Sequence, residues 1–447
     1  MNSAALEASE PPTESADWFG QPRGLTILFL TETWDTFSFY GMRALLVLYM
    51  TKHLMFTQQA ASWIYGGYAA MVYLTPIFGG VIADRWLGRR AAVLLGGTIM
   101  AVGHFLMAFE PLLLPALATI AIGNGLFLPS LPSQIDSLYA RDDPRRMSAY
   151  NVYYVGVNLG AFAAPIVIGT VGEVFGFHWG FALAGIGMVV AMATYVSGRR
   201  YLPPDTPRAR QARMASRRVD TAPATRWYRQ PELRSRFLLL FAIAAVVVVF
   251  RGAYEQIGNT LSLWADANVD RSVSKSLTIP VTLFQSLNPL IVFILTPVLV
   301  WRWTRMATRG REPSSGLKMA IGAGIVGIAY LLVAVIAHKQ PGVQTAWPWL
   351  AMFIGVMTAG ELFILPVGLG LFGRMAPEGL RATTIAVWFS AGVFGNLFAA
   401  WLGTFWTSLG PSVFFAVVGG VALLSALGLG LLISRITRME QRAGTAN

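Results

Sequence analysis

ETWDTFSFYGMR, residues Glu32 to Arg43, places three formally charged side chains, Glu32, Asp35 and Arg43, inside the first hydrophobic segment of the chain. Taking such a group to membrane depth costs about 2.5–3.5 kcal/mol on insertion scales, so it usually faces an aqueous cavity or a partner and marks an ion or substrate path. On a helix turning 100° per residue, Glu32, Thr36, Phe39 and Arg43 fall within about 60° of one another, with Asp35 beside them. The expectation is one polar stripe facing one cavity.

The rest of the chain is built from similar segments. Of 447 residues 55% are hydrophobic and only 13% charged, too apolar for a string of soluble domains. The apolar runs reach the roughly 20 residues that a helix needs to cross a core about 30 Å thick, and nothing resembles the short alternating strands of a membrane barrel. An all-α membrane protein is expected, with twelve spans near residues 25–50, 60–83, 91–109, 112–134, 147–171, 179–197, 237–265, 276–301, 317–337, 347–374, 380–405 and 411–434.

The formal charge is +12. Most Lys and Arg lie in alternate loops, which is the positive-inside pattern and argues against a nucleic-acid partner. With an even number of spans, both termini are expected in the cytoplasm. The domains then read as a tail over 1–24, a six-helix bundle over 25–198, a basic linker over 199–236 with Pro203, Pro204, Pro207 and Pro223, a second bundle over 237–434 and a tail over 435–447. The first 24 residues lack the pattern of a cleaved secretory signal, so the mature chain is expected to start there.

Other chemistries are weakly supported. There is no cysteine, so disulfides and thiol-based zinc or redox chemistry are out of reach. His53, His104, His178 and His338 stand without metal-ligand spacing, His104 reads as a packing residue, and no phosphate loop or hydrolase motif occurs. No enzyme activity, cofactor or metal is expected.

Six intramembrane charges remain: Glu32, Asp35, Arg43, Arg251, Glu255 and Glu361. Arg251 and Glu255 are four apart and can pair on one helix face, or Arg43 can reach Glu255 from the other half. Tyr40, Tyr68, Tyr153, Asn158, Gln285, Asn288 and Trp388 are expected at similar depth. Asn288 precedes Pro289, and Glu361 lies five residues before Pro366. Proline removes a backbone bond, so both places read as hinges beside a polar side chain.

Six plus six helices about a long central loop is the layout of the major facilitator superfamily, whose halves rock about a midplane site. GGVIADRWLGRR, between spans two and three, resembles that superfamily's loop signature through Gly79, Gly80, Asp84, Arg85, Gly88, Arg89 and Arg90. The first span, ETWDTFSFYGMRALLVLY, resembles the ExxERFSYYGMRALLxLY signature of the proton-dependent oligopeptide transporters. So do IYGGYAAMVYLTPIFGGVIADRWLG, YYVGVNLGAFAAP, YEQIGNTLSLWA, FQSLNPLIVFILTP, ELFILPVGLGLF and WFSAGVFGNLFA further along.

The resemblance implies a major facilitator fold and a secondary transporter of di- or tripeptides or peptide-like compounds, with protons and membrane lipid as its other partners, in the inner membrane. It makes Arg43 a carboxylate grip, Glu255 its alternating partner, and Glu361, Asn158 and Asn288 the receivers of a peptide amino terminus. Tyr40, Tyr68 and Trp388 match pocket aromatics, and Glu32, Asp35 and Glu255 are the proton-coupling candidates. Departures are also legible. Asp35, Thr36 and Phe39 stand where the family pattern has Glu, Arg and Tyr, Leu128 stands where it has Lys, and Arg251 where it has Trp. Two family cations are lost and one gained, and Arg251 is expected to take part of the missing Lys role by contacting an anionic substrate group. A non-peptide cargo such as nitrate or a modified amino acid, a weakly coupled facilitator or exchanger, and a non-transporting receptor stay open as alternatives.

Overall fold

The computed structural model describes residues 20–140, 143–203, 230–339, 344–377 and 380–444. Most of the expected N-terminal tail, the middle of the linker and the last three residues lie outside the described residues.

The first half runs through α1 (Arg23–Leu48), α2 (Gln58–Ile82), α3 (Arg89–Leu106), α4 (Leu113–Ser130), α5 (Arg145–Ala164), the short α6 (Thr170–Phe175) and α7 (Phe177–Gly198). The second half contains α8 (Pro231–Tyr254), α9 (Thr260–Asn268), α10 (Leu287–Ala307), α11 (Ser315–Lys339), α12 (Trp347–Leu362), α13 (Leu365–Met375), α14 (Arg381–Gly403) and α15 (Trp406–Gly444). Among the described residues, ten of the helical segments are long and apolar enough to cross a membrane. α1, with its charged residues Arg23, Glu32, Asp35 and Arg43, and α3, which opens on Arg89 and Arg90, complete twelve spans. Local sequence explains several helix starts. The Thr57 hydroxyl caps α2 by accepting from Ala60 N at 3.3 Å, and Pro231 opens α8 where its missing N–H costs nothing.

Among the described residues three spans are interrupted within their length, and α15 also kinks at Gly410, at φ 71° just before Pro411. A π-helical turn, Pro165–Gly169, joins α5 to α6. A 3₁₀ turn, Glu255–Gly258, joins α8 to α9, and α12 stops at Leu362 before Pro366 allows α13 to start. The last two breaks put Glu255 and Glu361 at interrupted backbone, the second of them where Pro366 predicts it. The other expected hinge is corrected. Pro289 lies in the first turn of α10, after a 3₁₀ turn over Thr282–Ser286, so it helps start that helix instead of kinking its interior.

Within the first half α1 packs on α5 and α7, and α3 on α4; within the second, α11 packs on α15 and α8 on α14. Across the halves α2 packs on α14 and α5 on α10, which is span two against span eleven and span five against span eight. Shifting each span by six exchanges these two contacts, as a pseudo-two-fold relation between the halves requires. Leu424, Leu427 and Leu431 lie exposed at helical spacing on α15, as a lipid-facing stripe should.

The GGVIADRWLGRR turn has a readable purpose. Gly88 ends it at φ 86°, a left-handed conformation that suits glycine. Arg89 then donates to the Ser133 carbonyl, and Arg90 to the carbonyls of Leu202 and Arg199, tying the turn to the ends of spans four and six. Gly79 brings α2 against the Gly125 backbone of α4 so closely that a Cβ there would collide with the carbonyl, whereas Gly80 has ordinary space beside Pro129. Gly79→Ala is therefore expected to cost about 1–3 kcal/mol of overpacking, read as a lowered Tm in detergent. Gly80→Ala should leave the Tm near its original value.

Candidate substrate-binding site

The site is built where three broken or charged spans meet. Glu255, at the end of α8, is buried and divides its carboxylate between two guanidinium groups. Arg43 of α1 donates to Oε2 at 2.7 Å, and Arg251 of α8 donates to Oε1 at 3.0 Å. Both pairings open to the sequence are thus made at once. Two tyrosines of α2 complete the cluster. Arg43 Nε donates to the Tyr65 hydroxyl at 2.8 Å and Arg251 to the Tyr73 hydroxyl at 3.3 Å, and each guanidinium also lies over its tyrosine ring, at 5.4 and 5.0 Å. Neither tyrosine is among the sequence-derived site residues, although a helical wheel of span two places them about 80° apart.

A second cluster adjoins the first. Asn288 of α10 donates to Glu361 at 2.7 Å and to Thr358 at 3.1 Å, both on α12. The Tyr254 side chain, one residue before Glu255, lies near Glu361. The break between α12 and α13 places this carboxylate beside α10 and α8, and it stays partly open. Gln285 reaches the Ala44 carbonyl at 3.4 Å and the Ser262 hydroxyl at 3.3 Å, linking the halves.

A third cluster lies wholly within the first half. Tyr153 of α5 donates to Glu32 in a short hydrogen bond, and the Thr36 hydroxyl turns back to the Glu32 carbonyl at 2.6 Å. Glu32, Asp35 and Thr36 are buried, and Asp35 Oδ1 has no hydrogen-bond partner. This corrects the single stripe expected along α1. Over the eleven residues from Glu32 to Arg43 the helix rises about 16 Å. It passes from beneath α5 to the junction of the halves, so Glu32 and Arg43 serve different surroundings.

The remaining predicted residues divide between open and closed positions. Tyr40 is exposed and meets Phe39 edge-on at 5.3 Å, while Phe39 stands 6.3 Å from Tyr68, which is buried. Asn158 is partly open and donates to the Tyr154 carbonyl of its own helix at 2.9 Å. Leu128 is exposed on α4, an apolar side chain at the position of the absent Lys. Trp388 is buried against Phe372 at 5.1 Å and over Gly368. Arg251 is also buried, engaged by Glu255 and Tyr73 in this conformation.

Beyond this site, at the end opposite the termini, polar bonds join the halves. Gln58 donates to the Gly403 carbonyl at 2.7 Å, Ser62 and Asn259 bond at 3.0–3.1 Å, and Lys52 pairs with Asp266 at 2.9 Å. Glu173 accepts from the backbone N–H groups of Val281 and Thr282 at 2.9 and 2.7 Å. The ends of α1, α2 and α6 are thereby latched to the ends of α9, α10 and α14.

Comparisons with known proteins agree with this geometry. The profile of the POT family matches residues 90–219 and 211–412. The chain is 30% identical to a di-/tripeptide transporter of Lactococcus lactis subsp. lactis (strain IL1403), covering 93% of this chain and 95% of that one. It is 31% identical to the peptide transporter YePEPT of Yersinia enterocolitica subsp. palearctica serotype O:3 (strain YE-P4), covering 86% and 88%. Among solved structures, the peptide transporter POT in complex with sulfate superposes with a TM-score of 0.85 at 30% identity over 95% of this chain and 97% of that one. A POT family transporter in complex with 5-aminolevulinic acid gives 0.84 at 25% identity, over 95% and 98%. A twelve-span major facilitator fold, charged residues gathered where its halves meet and a family match across most of its length make one statement: this chain is a multi-pass membrane transporter of the POT family, and not an enzyme.

Proposed function

We propose that the protein carries di- or tripeptides, or peptide-like amino compounds, by alternating access across the inner membrane, with both termini in the cytoplasm. The observation that carries this reading is the Glu255 carboxylate shared by Arg43 of one half and Arg251 of the other. A peptide carboxylate competes with Glu255 for Arg43, and Arg43 is the more accessible of the two arginines. Because Glu255 keeps Arg251 when Arg43 leaves, releasing Arg43 does not strand a buried charge. The peptide amino group is received at Glu361, where Asn288 holds the carboxylate in place. Peptide cargo in the similar transporters supports this assignment.

Alternating access then requires two seals in turn. The bonds from Gln58, Lys52, Ser62 and Glu173 close the end away from the termini in this conformation, and the opposite state must break them. Glu32, Asp35 and Glu255 are the groups through which a proton gradient acts. A carboxyl group that passes between dry and wet surroundings changes its hold on a proton, so its protonation is tied to the state of the cavity. Purified protein in liposomes should take up a labelled dipeptide faster with an inward proton gradient than without. Equal initial rates with and without the gradient would remove coupling from the mechanism, and no counterflow with any di- or tripeptide would remove the peptide cargo.

A further inference from the structure

A cluster outside the transport site gathers metal-binding groups from three separate elements. His53 follows α1, Glu110 sits in the turn between α3 and α4, and His178 lies in the first turn of α7. Their ligand atoms all lie within 4.8 Å of one another. His53 Nε2 is 2.8 Å and His178 Nε2 3.8 Å from the same Glu110 oxygen. Sequence spacing gives no hint of this, since the three positions are far apart in the chain.

We infer that these residues form a divalent transition-metal site, of the kind that takes Zn²⁺, at the end of the first half opposite the termini. With bonds of about 2.0–2.2 Å, two ligands of a tetrahedral zinc lie about 3.3–3.5 Å apart. The two distances to the Glu110 oxygen bracket that value, and all three ligand atoms lie within 4.8 Å of one another, so small side-chain movements complete the set. Two imidazoles and one carboxylate leave a fourth position for water, and nitrogen donors select zinc, copper or nickel over magnesium and calcium. The rings are held in advance. His53 stacks on Tyr49 at 5.4 Å with planes 18° apart, and the His53 and His178 rings meet edge-on at 5.0 Å. Tyr49 is itself buried against Phe181 and Phe177.

The Nδ1 edge of the His178 ring is buried, and Nε2 is the edge that faces Glu110. The site adjoins the latch between the halves, because Lys52, which pairs with Asp266 across them, precedes His53. A metal on His53 therefore fixes the end of α1 from which that ion pair springs.

Tag-free full-length protein in detergent should bind one equivalent of Zn²⁺ in a chelator-competition titration, with no response to Mg²⁺ or Ca²⁺. Co²⁺ should give the visible absorption of a tetrahedral site, displaced by Zn²⁺. His53→Ala and His178→Ala should each weaken Zn²⁺ binding at least about tenfold, while His338→Ala leaves it unchanged. Zn²⁺ should raise the Tm of the wild type and not that of the double variant His53→Ala/His178→Ala, with matching circular dichroism showing that the variant is folded. Absence of stoichiometric Zn²⁺ binding by the wild type, or equal binding by the folded double variant, would overturn the site.

Discussion

Replacing Arg43 with Ala is expected to weaken dipeptide binding by about 10- to 140-fold, and Arg43→Lys should restore little of it. A hydrogen bond to a charged group contributes about 1.5–3 kcal/mol, which corresponds to that span at about 1.4 kcal/mol per decade. Lysine fails as a substitute because Arg43 uses two parts of its guanidinium on two different residues, Nε on Tyr65 and a terminal nitrogen on Glu255. One ammonium cannot keep both contacts and still turn to a substrate carboxylate. Peptide binding to the detergent-purified variants measures the effect, beside the Tm of each. Binding within about twofold of wild type, with Tm unchanged, would leave Arg43 as a brace between α1 and α8 and take the substrate grip elsewhere.

The second large effect is expected at Arg251. Arg251→Trp removes one of the two cations on Glu255 and sets a ring where Gly395 leaves little room, since even a Cβ on that glycine would crowd the Arg251 stem. Glu255 then depends on Arg43 alone, and Arg43 is held back from substrate. Uptake should fall more than tenfold. Removing the competing carboxylate as well should return part of the loss, so Arg251→Trp/Glu255→Gln should be less impaired than the product of the single effects. Coupling of more than about 0.5 kcal/mol is expected of residues that share one ion-pair network. Unchanged uptake in Arg251→Trp, or singles that simply multiply, would show that Arg251 acts apart from Glu255.

These two predictions also show how the structure changed the reading of particular residues. From the chain alone Arg251 appears as a new cation facing substrate. In three dimensions it lies buried between Glu255 and Tyr73, engaged by both in this conformation. Glu32 and Arg43, read as one stripe, belong to different places, because a wheel projection keeps the angle between residues and discards the distance along the axis. Pro289 and Pro366 look alike as hinges in the chain, and both lie in the first turn of a helix, Pro289 after the 3₁₀ turn over Thr282–Ser286 and Pro366 after the break at Leu362. The missing N–H costs nothing in a first helical turn and a bond in the interior.

By itself the sequence determined the class, the fold and the family. Span length and hydropathy follow from bilayer thickness, and motifs such as ETWDTFSFYGMR and GGVIADRWLGRR are local strings that survive without coordinates. It also named the charged residues, since charge in an apolar span is costly enough to stand out. Tertiary structure alone decided which partner each charge takes. Glu255 had two possible cations and holds both; Tyr65 and Tyr73 enter the site only because α2 passes it; and His53, Glu110 and His178 meet only because three turns converge at one end of a bundle. Hydrophobic burial is read from one segment at a time, whereas hydrogen bonds and ligand sets need two or more segments at fixed distances, which only the packed helices supply.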